Sequence, residues 1–207
     1  LVTFESDKKE IIKLDCVIPV LHGKNGEDGT VQGLLELAEI PVVGCDTTSS
    51  AACMDKTITN SMLAFNGINK PAFHWFYAYD FKKDSEKHIA EIEKVIGSYP
   101  MFVKPANAGS SVGISKVINR EELVKGIEIA AHEDKKILIE QGIVGQEVEC
   151  AVLGNDEPMV SVAGEIVPSN DFYDYDAKYL SGSSELFIPA RIPESVSEEV
   201  RETAVRA

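Results

Sequence analysis

A lysine placed directly before a glycine- and serine-rich loop is the arrangement in this sequence with the clearest chemical meaning. Lys104 ends a short apolar run, Pro105 stops it, and residues 106–113 read ANAGSSVG. A fixed cation beside flexible backbone N–H groups is what a polyphosphate needs. In a Walker A loop the lysine follows the glycines and opens a helix, so this order predicts a flap that closes over a nucleotide instead. Taken alone, the segment also fits a β-hairpin with a Gly/Ser turn.

A second chemical candidate is the turn HGKNGEDG at residues 22–29, which follows a nearly continuous apolar run. In open α/β sheets, ligands bind beyond the carboxyl ends of the strands. His22 could hold a carboxylate or lie beside an ammonium group, with Glu27 fixing its tautomer. The alternative is a tight turn that leads into a helix with an acidic first turn.

Two weaker signals lie on either side of the loop. EQGIVGQEVE at residues 140–149 joins two strand patterns through glycines, so its backbone edge could pair with a purine while Glu147 accepts from ribose hydroxyls. Lys56 stands at a predicted helix start. Alternatively, residues 140–149 are a plain connection in which Glu147 is solvated, and Lys56 is a solvated surface lysine.

The segment FYDYDAKYLSGSSE at residues 172–185 combines Lys178 with several tyrosines, among them Tyr173 and Tyr179. Loops normally carry Ser, Gly, Asn and Pro, so this many large aromatics indicate more than a connection. Long loops of this kind often serve as lids over active sites. The alternative is a loop that packs on the domain surface.

The elements that must position these residues follow the order of an α/β protein. Residues 11–21 and 40–46 have the pattern of buried strands on either side of a helix at 31–39, which predicts a parallel βαβ unit. Later helical patterns cover residues 47–65, 85–96, 121–132 and 197–207. Strand patterns cover residues 73–79, 101–103, 114–117, 137–140, 147–153 and 158–166.

Composition indicates an ordinary globular protein with an acidic surface. The 207 residues are 44% hydrophobic, and 34 acidic against 20 basic side chains give a net charge of −14. This charge disfavours nucleic acid and anionic membranes, and no stretch is apolar and long enough to span a bilayer. Four cysteines without CxxC or zinc spacing indicate reduced thiols in a cytoplasmic protein. Both ends read like the interior of domains, so we expect a chain that is incomplete at both ends.

Five motifs in order resemble the D-alanine–D-alanine ligase family of the ATP-grasp fold. HGKNGEDGTVQG is similar to the family's HGxxGEDGxxQG element, and it is followed by MDK, VKPANAGSSVG, IEQ and FYDYDAKY in the family's order. Each motif is modest support, but the ordered set is specific and covers nearly the whole chain. The resemblance implies ATP-dependent joining of two D-amino acids. The first carboxylate attacks the γ-phosphate to give an acylphosphate and ADP, and the second amine then expels phosphate.

Carried over by position, the resemblance implies a nucleotide site and a reacting centre. The implied nucleotide-binding residues are Lys56, Lys104, Gly109, Ser110, Ser111, Gly113, Glu140, Gln141, Ile143, Glu147, Tyr173 and Lys178. The implied catalytic residues are His22, Glu27, Ser110 and Tyr179. In this scheme lysines neutralise the phosphates, the hinge frames the adenine, and His22 lies near the first ammonium group. Ser110 and Tyr179 link the flap to the lid and exclude water from the acylphosphate.

The resemblance also implies domains and partners. Residues 1–46 would belong to a parallel α/β N-terminal domain, 47–140 to the central ATP-grasp subdomain and 141–207 to the start of the C-terminal subdomain. ATP and Mg²⁺ are the expected cofactors, and the Mg²⁺ ligands are expected outside this chain, so it has no predicted metal ligand. ATP and small D-amino acids are the expected partners, without nucleic acid or membrane, and a homodimer is an open option.

Departures from the family pattern leave alternatives. The family's N-terminal glycine-rich strand and its C-terminal segment with the magnesium-binding acids are absent, so this chain is not expected to catalyse by itself. Ala108 stands where many members carry glutamate. Tyr179 favours an amine as second substrate, and D-alanine over D-serine. A D-alanine–D-serine ligase of the vancomycin-resistance type and a catalytically inactive nucleotide-binding fragment are the alternatives.

Overall fold

The structure, a computed structural model, describes residues 2–5, 8–168 and 184–207. Its helices are α1 Thr30–Leu37, α2 Thr47–Met54, α3 Lys56–Phe65, α4 Ala78–Lys83, α5 Ser85–Ile96, α6 Arg120–Glu133 and α7 Glu194–Arg206. Its strands are β1 Val2–Glu5, β2 Lys8–Ile11, β3 Phe73–Tyr77, β4 Met101–Pro105, β5 Ser115–Val117, β6 Lys136–Gln141, β7 Glu147–Glu149, β8 Val152–Leu153, β9 Met159–Val160, β10 Gly164–Val167 and β11 Glu185–Phe187. The mixed α/β class is confirmed, with antiparallel sheets. Within the described residues, no helix has both the length and the apolar character that crossing a bilayer requires.

A four-stranded antiparallel sheet, in the order β3-β6-β4-β5, forms the centre of the molecule. Side chains alternate between its two faces, so Met101 and Val103 of β4 share one face with Ile137 and Ile139 of β6. Helices α5 and α6 pack on that face and complete the main hydrophobic core. The opposite face of the same two strands is left for other side chains, which form the site described below.

The two helices on the apolar face begin at side-chain caps and carry apolar residues at helical spacing. Asp84 accepts a hydrogen bond from the N–H of Lys87 at the start of α5, and Asn119 accepts one from the N–H of Glu122 at the start of α6. The buried residues of α5 are three or four positions apart, namely Ile89, Ile92 and Ile96. The sequence pattern therefore predicts both helices to within one residue at each end.

A smaller antiparallel sheet, in the order β11-β10-β7, follows the central sheet along the chain. Strands β8 and β9 form a separate two-stranded ribbon, and α7 ends the described chain. The sequence pattern predicts continuous strands over 147–153 and 158–166, but each is divided in two. The division lies where the Ala151 N–H donates to the Ser161 hydroxyl instead of a backbone carbonyl, while the Ser161 N–H still donates to the Ala151 carbonyl at 2.9 Å.

The N-terminal segment is less regular than its apolar pattern predicts. Residues 11–21 do not form one buried strand but contribute a single parallel bridge, between Val17 and Val42. Ile18 and Val20 are 67% and 80% exposed, because no described strand or helix covers them. The parallel direction of the bridge, with α1 between its two sides, agrees with the predicted βαβ connection.

Two predicted boundaries also differ. The helix predicted over 47–65 is two helices, α2 and α3, because Asp55 leaves helical geometry with a ψ of 100° and caps α3 instead. The strand predicted over 73–79 ends at Tyr77, where α4 begins. This short helix brings Phe81 to within 5.4 Å of Phe76, measured between ring centroids, so core packing decides where the strand ends.

The packing of α6 on the sheet can be tested by truncation. Leu123→Ala should lower the free energy of unfolding by about 2–5 kcal/mol, because the side chain is fully buried in the main core and its loss leaves a cavity. Ile129 on the same helix is 50% exposed, so Ile129→Ala should cost clearly less. Urea denaturation of both variants measures the difference. Equal losses would contradict the orientation of α6.

Candidate functional site

The face of the central sheet opposite to the main core borders an open cleft of about 690 Å³. This volume is typical of small-molecule sites, which range over about 300–1,000 Å³. Residues of the smaller sheet also line the cleft, so it lies between the two sheets. The predicted site residues that line it are Lys104, Ser111, Ile143 and Glu147.

Two charged side chains meet on this face. Lys104 of β4 and Glu140 of β6 form an ion pair, with 2.5 Å between Nζ and Oε2. Their neighbours Val103 and Ile139 point into the core, so the alternation of the strands directs the ion pair to the opposite face. Asn60 of α3 donates from Nδ2 to the other oxygen of Glu140 at 2.7 Å. Both carboxylate oxygens of Glu140 are therefore held, one by a strand and one by a helix.

Lys56 fastens the Gly/Ser loop to the start of α3. Its backbone N–H donates to the carbonyl of Ala106 at 3.1 Å, and its ammonium group donates to the carbonyl of Ala108 at 2.6 Å. Burial lowers the pKa of Lys56, and the positive charge of Lys104 adds to this effect. Two ammonium groups thus lie close enough to repel each other, and such a pair favours the binding of an anion.

The start of α3 is itself anchored to the central sheet. Asp55 is buried, accepts a hydrogen bond from the N–H of Thr57, and forms an ion pair with Lys136 of β6 at 2.7 Å. Burial tends to raise the pKa of Asp55, but hydrogen bonds from Lys136 and Thr57 outweigh it, so the pKa is lowered. The ionised carboxylate fixes the helix from which Lys56 and Asn60 reach their partners.

The loop has backbone geometry that few residues adopt. Ser110 and Ser111 have φ angles of 52° and 60°, and Gly113 has a φ of 71°. Residues other than glycine rarely populate this left-handed region, and such strain concentrates at ligand-binding segments. A Cβ at Gly113 would also lie only 2.8 Å from Cγ of Glu133, so the loop can return to β5 only with glycine at this position.

The turn at residues 22–29 contacts this loop directly. A Cβ at Gly109 would lie 3.2 Å from Cα of Gly23, so the two backbones are in close contact. His22 and Ser110 line a second cavity, of about 340 Å³, where the two segments meet. The carboxylate of Glu27 accepts a hydrogen bond from the N–H of Gly23 and so closes the turn. The bond from Glu27 to His22 that the sequence suggested is not among the contacts of the described residues.

The connection after β6 presents its backbone to the cleft. The N–H groups of Gln141 and Gly142 donate to carbonyls of neighbouring segments, both at 2.9 Å. In the described part of the chain, no hydrogen bond involves Ile143, which lines the cleft together with Glu147. The connection is therefore held by hydrogen bonds at its first two residues, and Ile143 follows them at the wall of the cleft.

A buried carboxylate stabilises the wall formed by the smaller sheet. Glu165 of β10 is 4% exposed and accepts three hydrogen bonds from Arg191, at 2.9–3.0 Å, and a fourth from Gln146 at 3.2 Å. The guanidinium group of Arg191 also stacks on the ring of Phe187, 3.5 Å from its centroid. The hydrogen bonds from Arg191 lower the pKa of Glu165 to about 2. Arg191, Gln146 and Glu165 all line the cleft.

The structure thus brings the described members of the predicted site to two adjacent cavities. Lys104, Ser111, Ile143 and Glu147 line the cleft, His22, Gly109 and Ser110 line the second cavity, and Lys56, Gly113, Glu27, Glu140 and Gln141 hold the surrounding segments in place. Tyr173, Lys178 and Tyr179 lie outside the described residues. The predicted lid, and a cleft shared by Lys104 and Lys178, therefore stay predictions.

Sequence reasoning missed three residues that shape the cleft, namely Asn60, Glu165 and Arg191. Asn60 follows Lys56 by four positions, so a helix that begins at residue 56 places both on one side, and this spacing could have revealed it. The pairing of Glu165 with Arg191 had no such signal, because the partners are 26 residues apart and belong to different segments.

Family models cover most of the chain. The model described as D-ala D-ala ligase C-terminus matches residues 62–207, and the model described as D-ala D-ala ligase N-terminus matches residues 2–45. The first match alone includes well over half of the sequence. Both motif-bearing regions, the turn at residues 22–29 and the loop at 106–113, lie within the matched segments.

Individual relatives agree with these models. The D-alanine–D-alanine ligase of Caldicellulosiruptor bescii is 53% identical over 206 residues, which are 100% of this chain and 56% of that protein. The D-alanine–D-alanine ligase of Bacillus velezensis is 49% identical over 203 residues, 98% of this chain and 57% of that protein. The chain therefore spans little more than half the length of the curated relatives it matches.

Solved structures show the same relationship. The VanG D-Ala:D-Ser ligase from Enterococcus faecalis superposes with a TM-score of 0.83 and 48% identity, over 95% of this chain and 56% of that one. The D-alanine-D-alanine ligase from Coxiella burnetii superposes with a TM-score of 0.77 and 31% identity, over 99% of this chain and 55% of that one. The arrangement of sheets described above is thus the arrangement of these ligases.

The role of Asn60 in holding Glu140 predicts a stability effect. Asn60→Ala should lower the free energy of unfolding by about 1–3 kcal/mol, because the part-buried carboxylate loses one of its partners. Asn60→Asp should cost more, since it places a second negative charge beside Glu140. Asn66→Ala is the matched control, because the Asn66 amide bonds only to a carbonyl of its own exposed helix end. If urea denaturation shows that Asn66→Ala loses as much free energy of unfolding as the two Asn60 variants, this role of Asn60 is contradicted.

The lowered pKa of Glu165 predicts how stability depends on pH. The folded-state pKa is about 2 and the ordinary value is 4.5, so the unfolded chain binds more protons between these values. The stabilisation by Glu165 should be complete above pH 4.5 and should decrease as the pH falls towards 2. In urea denaturation from pH 7 downwards, the wild type should therefore have a higher free energy of unfolding than Glu165→Gln at neutral pH, and this difference should shrink as the pH falls. Glu198→Gln changes an exposed glutamate and is the control, which should follow the wild type at every pH. A stability difference between the wild type and Glu165→Gln that does not change with pH would contradict the assignment.

Proposed function

The chain belongs to the D-alanine–D-alanine ligase family, and we propose that the intact protein joins D-alanine to D-alanine with ATP to make a dipeptide for peptidoglycan. Because the chain spans little more than half of its relatives, the activity is proposed for the intact protein. One observation carries the proposal. A strained Gly/Ser loop with two lysines lies between a cleft of nucleotide size and a smaller cavity beside His22.

The cleft supports the binding of ATP. Lys104 and Lys56 would neutralise phosphate oxygens beside the loop, whose backbone would cover them. Phe102 and Ile143 line the apolar part of the cleft, where the backbone at Ile143 would hydrogen-bond the adenine. Glu147 lines the same cleft and would accept hydrogen bonds from the ribose hydroxyls.

The second cavity supports the binding of the first amino acid, with its ammonium group near His22 and its carboxylate towards Ser110. A carboxylate oxygen attacks the γ-phosphorus and ADP leaves. The amine of the second amino acid then attacks the acyl carbon, phosphate leaves, and the nitrogen loses a proton. This chemistry needs positioning and charge neutralisation more than covalent help from the protein. Glu27 contributes by closing the turn that carries His22.

Residues that lie outside the described structure complete the proposal. We assign Tyr173 and Lys178 to the nucleotide and Tyr179 to a contact with Ser110, on the resemblance of FYDYDAKY to the family motif alone. The same resemblance supports the proposed domains, residues 1–46, 47–140 and 141–207, and a cytoplasmic site of action. The proposed absence of nucleic acid and membrane partners rests on the acidic charge of the sequence, and a homodimer stays an open option.

Magnesium, which this family is expected to use with ATP, does not fit the described residues. Mg²⁺ binds carboxylate oxygens that are free to coordinate it. In the described part of the cleft, Glu140 is held by Lys104 and Asn60, and Glu165 is held by Arg191. Glu147, which is assigned to the ribose, is the one other carboxylate of the described lining, so a set of free ligands is not present there. We therefore expect the Mg²⁺ ligands outside this chain.

A second candidate is a D-alanine–D-serine ligase. The specific observation that favours it is the similarity to VanG D-Ala:D-Ser ligase, at 48% identity. The curated relatives that are about equally similar are D-alanine–D-alanine ligases. Tyr179 in the motif DAKY favours D-alanine, and we retain that assignment.

The proposal predicts D-alanine-dependent release of ADP from ATP by the intact protein, measured in a coupled assay. Lys104→Met should lower kcat/KM for ATP by about 10²–10³-fold, the usual cost of losing one charge-stabilising donor. Lys125→Met is the matched control, because Lys125 is exposed on α6 and pairs only with neighbouring acids of that helix. It should leave the rate unchanged.

Three outcomes separate the candidates. Product formed faster with D-serine than with D-alanine as second substrate would favour the second candidate. A rise in melting temperature with ATP, but no ADP release with any D-amino acid, would identify an inactive nucleotide-binding protein. No response to ATP in either measurement would refute both ligase assignments.

A further inference from the structure

Two histidines and a glutamate meet on the face of the central sheet that lies away from the cleft. His74 of β3 is paired in register with Ile139 of β6, whose side chain belongs to the main core. His88 and Glu91 are three positions apart on α5, which packs over that face, so both project from one side of the helix. The proposed ligase reaction uses none of these three side chains.

The three side chains present a compact set of metal-binding atoms. One nitrogen from each imidazole and one carboxylate oxygen all lie within 4.8 Å of one another. Nδ1 of His88 is buried and has no hydrogen-bond partner among the described residues. An oxygen of Glu91 lies 4.0 Å from it, beyond hydrogen-bonding distance. A buried polar atom without a partner costs about 1–3 kcal/mol, so this nitrogen has a physical reason to bind a ligand.

We propose that His74, His88 and Glu91 bind one Zn²⁺ ion, with a water molecule in the fourth position. Two imidazoles and one carboxylate are an established zinc donor set, whereas Mg²⁺ prefers oxygen ligands alone. Ligand atoms around tetrahedral Zn²⁺ are about 3.4 Å apart, so the most distant pair in the cluster must approach by up to about 1.4 Å. The Glu91 side chain is 44% exposed and free to rotate towards the histidines.

The surroundings suit such a site. Phe76 and Phe81 lie 5.1 and 6.2 Å from the ring of His88, measured between centroids, and fix its orientation. The ion would connect β3, an edge strand of the sheet, to the helix that covers it.

The test is a titration of the intact protein with Zn²⁺ alone, without nucleotide, against a competing fluorescent chelator. The expected result is one tightly bound Zn²⁺ per chain. His74→Asn and Glu91→Gln should each weaken the affinity for Zn²⁺ by at least about 10–100-fold. Changing a residue that only hydrogen-bonds to a metal ligand already costs this much, so the loss of a ligand should cost no less. Zn²⁺ should raise the melting temperature of the wild type and have little effect on that of the variants.

Matched controls identify the ligands. His132→Asn changes an exposed histidine at the end of α6 and should leave the affinity unchanged. A variant with all four cysteines of the chain, Cys16, Cys45, Cys53 and Cys150, changed to serine tests for binding through these thiols and should also behave like the wild type. Glu91→Gln changes a half-exposed side chain, so it tests the site even if His74→Asn fails to fold. No tight binding by the wild type, or equal binding by the wild type and Glu91→Gln, overturns the proposal, whatever the ligase assay shows.

Discussion

The alternation of side chains along β4 and β6 is the constraint on which the rest of the structure depends. One set, including Val103 and Ile139, packs under α5 and α6, and the other set carries the ion pair of Lys104 and Glu140. A slip of one residue in register would exchange the two sets. It would bury two charges in the core, at several kcal/mol per ion, and expose the apolar residues to water. The core and the site therefore fix the same register.

The ion pair also determines what an anion meets in the cleft. The charge of Lys104 is balanced by Glu140, whereas Lys56 bonds to backbone carbonyls of the loop. A polyphosphate that draws Lys104 towards itself would leave Glu140 without that partner. Asn60 limits this cost, because its hydrogen bond to the second carboxylate oxygen remains in place. The helix α3 thus supports both lysines, one directly and one through Glu140.

Local patterns predicted the elements whose signals are local. Helices α5 and α6 have caps and apolar spacing within their own sequences, and both were predicted to within one residue at each end. The lysine and glycine pattern of the loop predicts a phosphate-binding segment, and the resemblance to a family supplies the residue roles, but both stay predictions. Contacts between distant segments were not predictable, since nothing at Lys56 indicates that its ammonium group reaches Ala108, 52 residues away. Residues 11–21 show another limit, because an apolar pattern indicates burial but not the partner that provides it.

The contact between the turn and the loop joins the two halves of the proposed reaction. Gly23 has a φ of 68°, a backbone conformation that favours glycine, and a Cβ added at Gly109 would lie only 3.2 Å from the Cα of Gly23. The segment that carries His22 is therefore held against the loop whose other end faces the cleft. In the proposed reaction, a ligand that orders the turn would also restrain the loop, because the two backbones are in contact. An amino acid beside His22 would in this way favour the loop geometry that the phosphates require, and ATP would favour the cavity that the amino acid occupies.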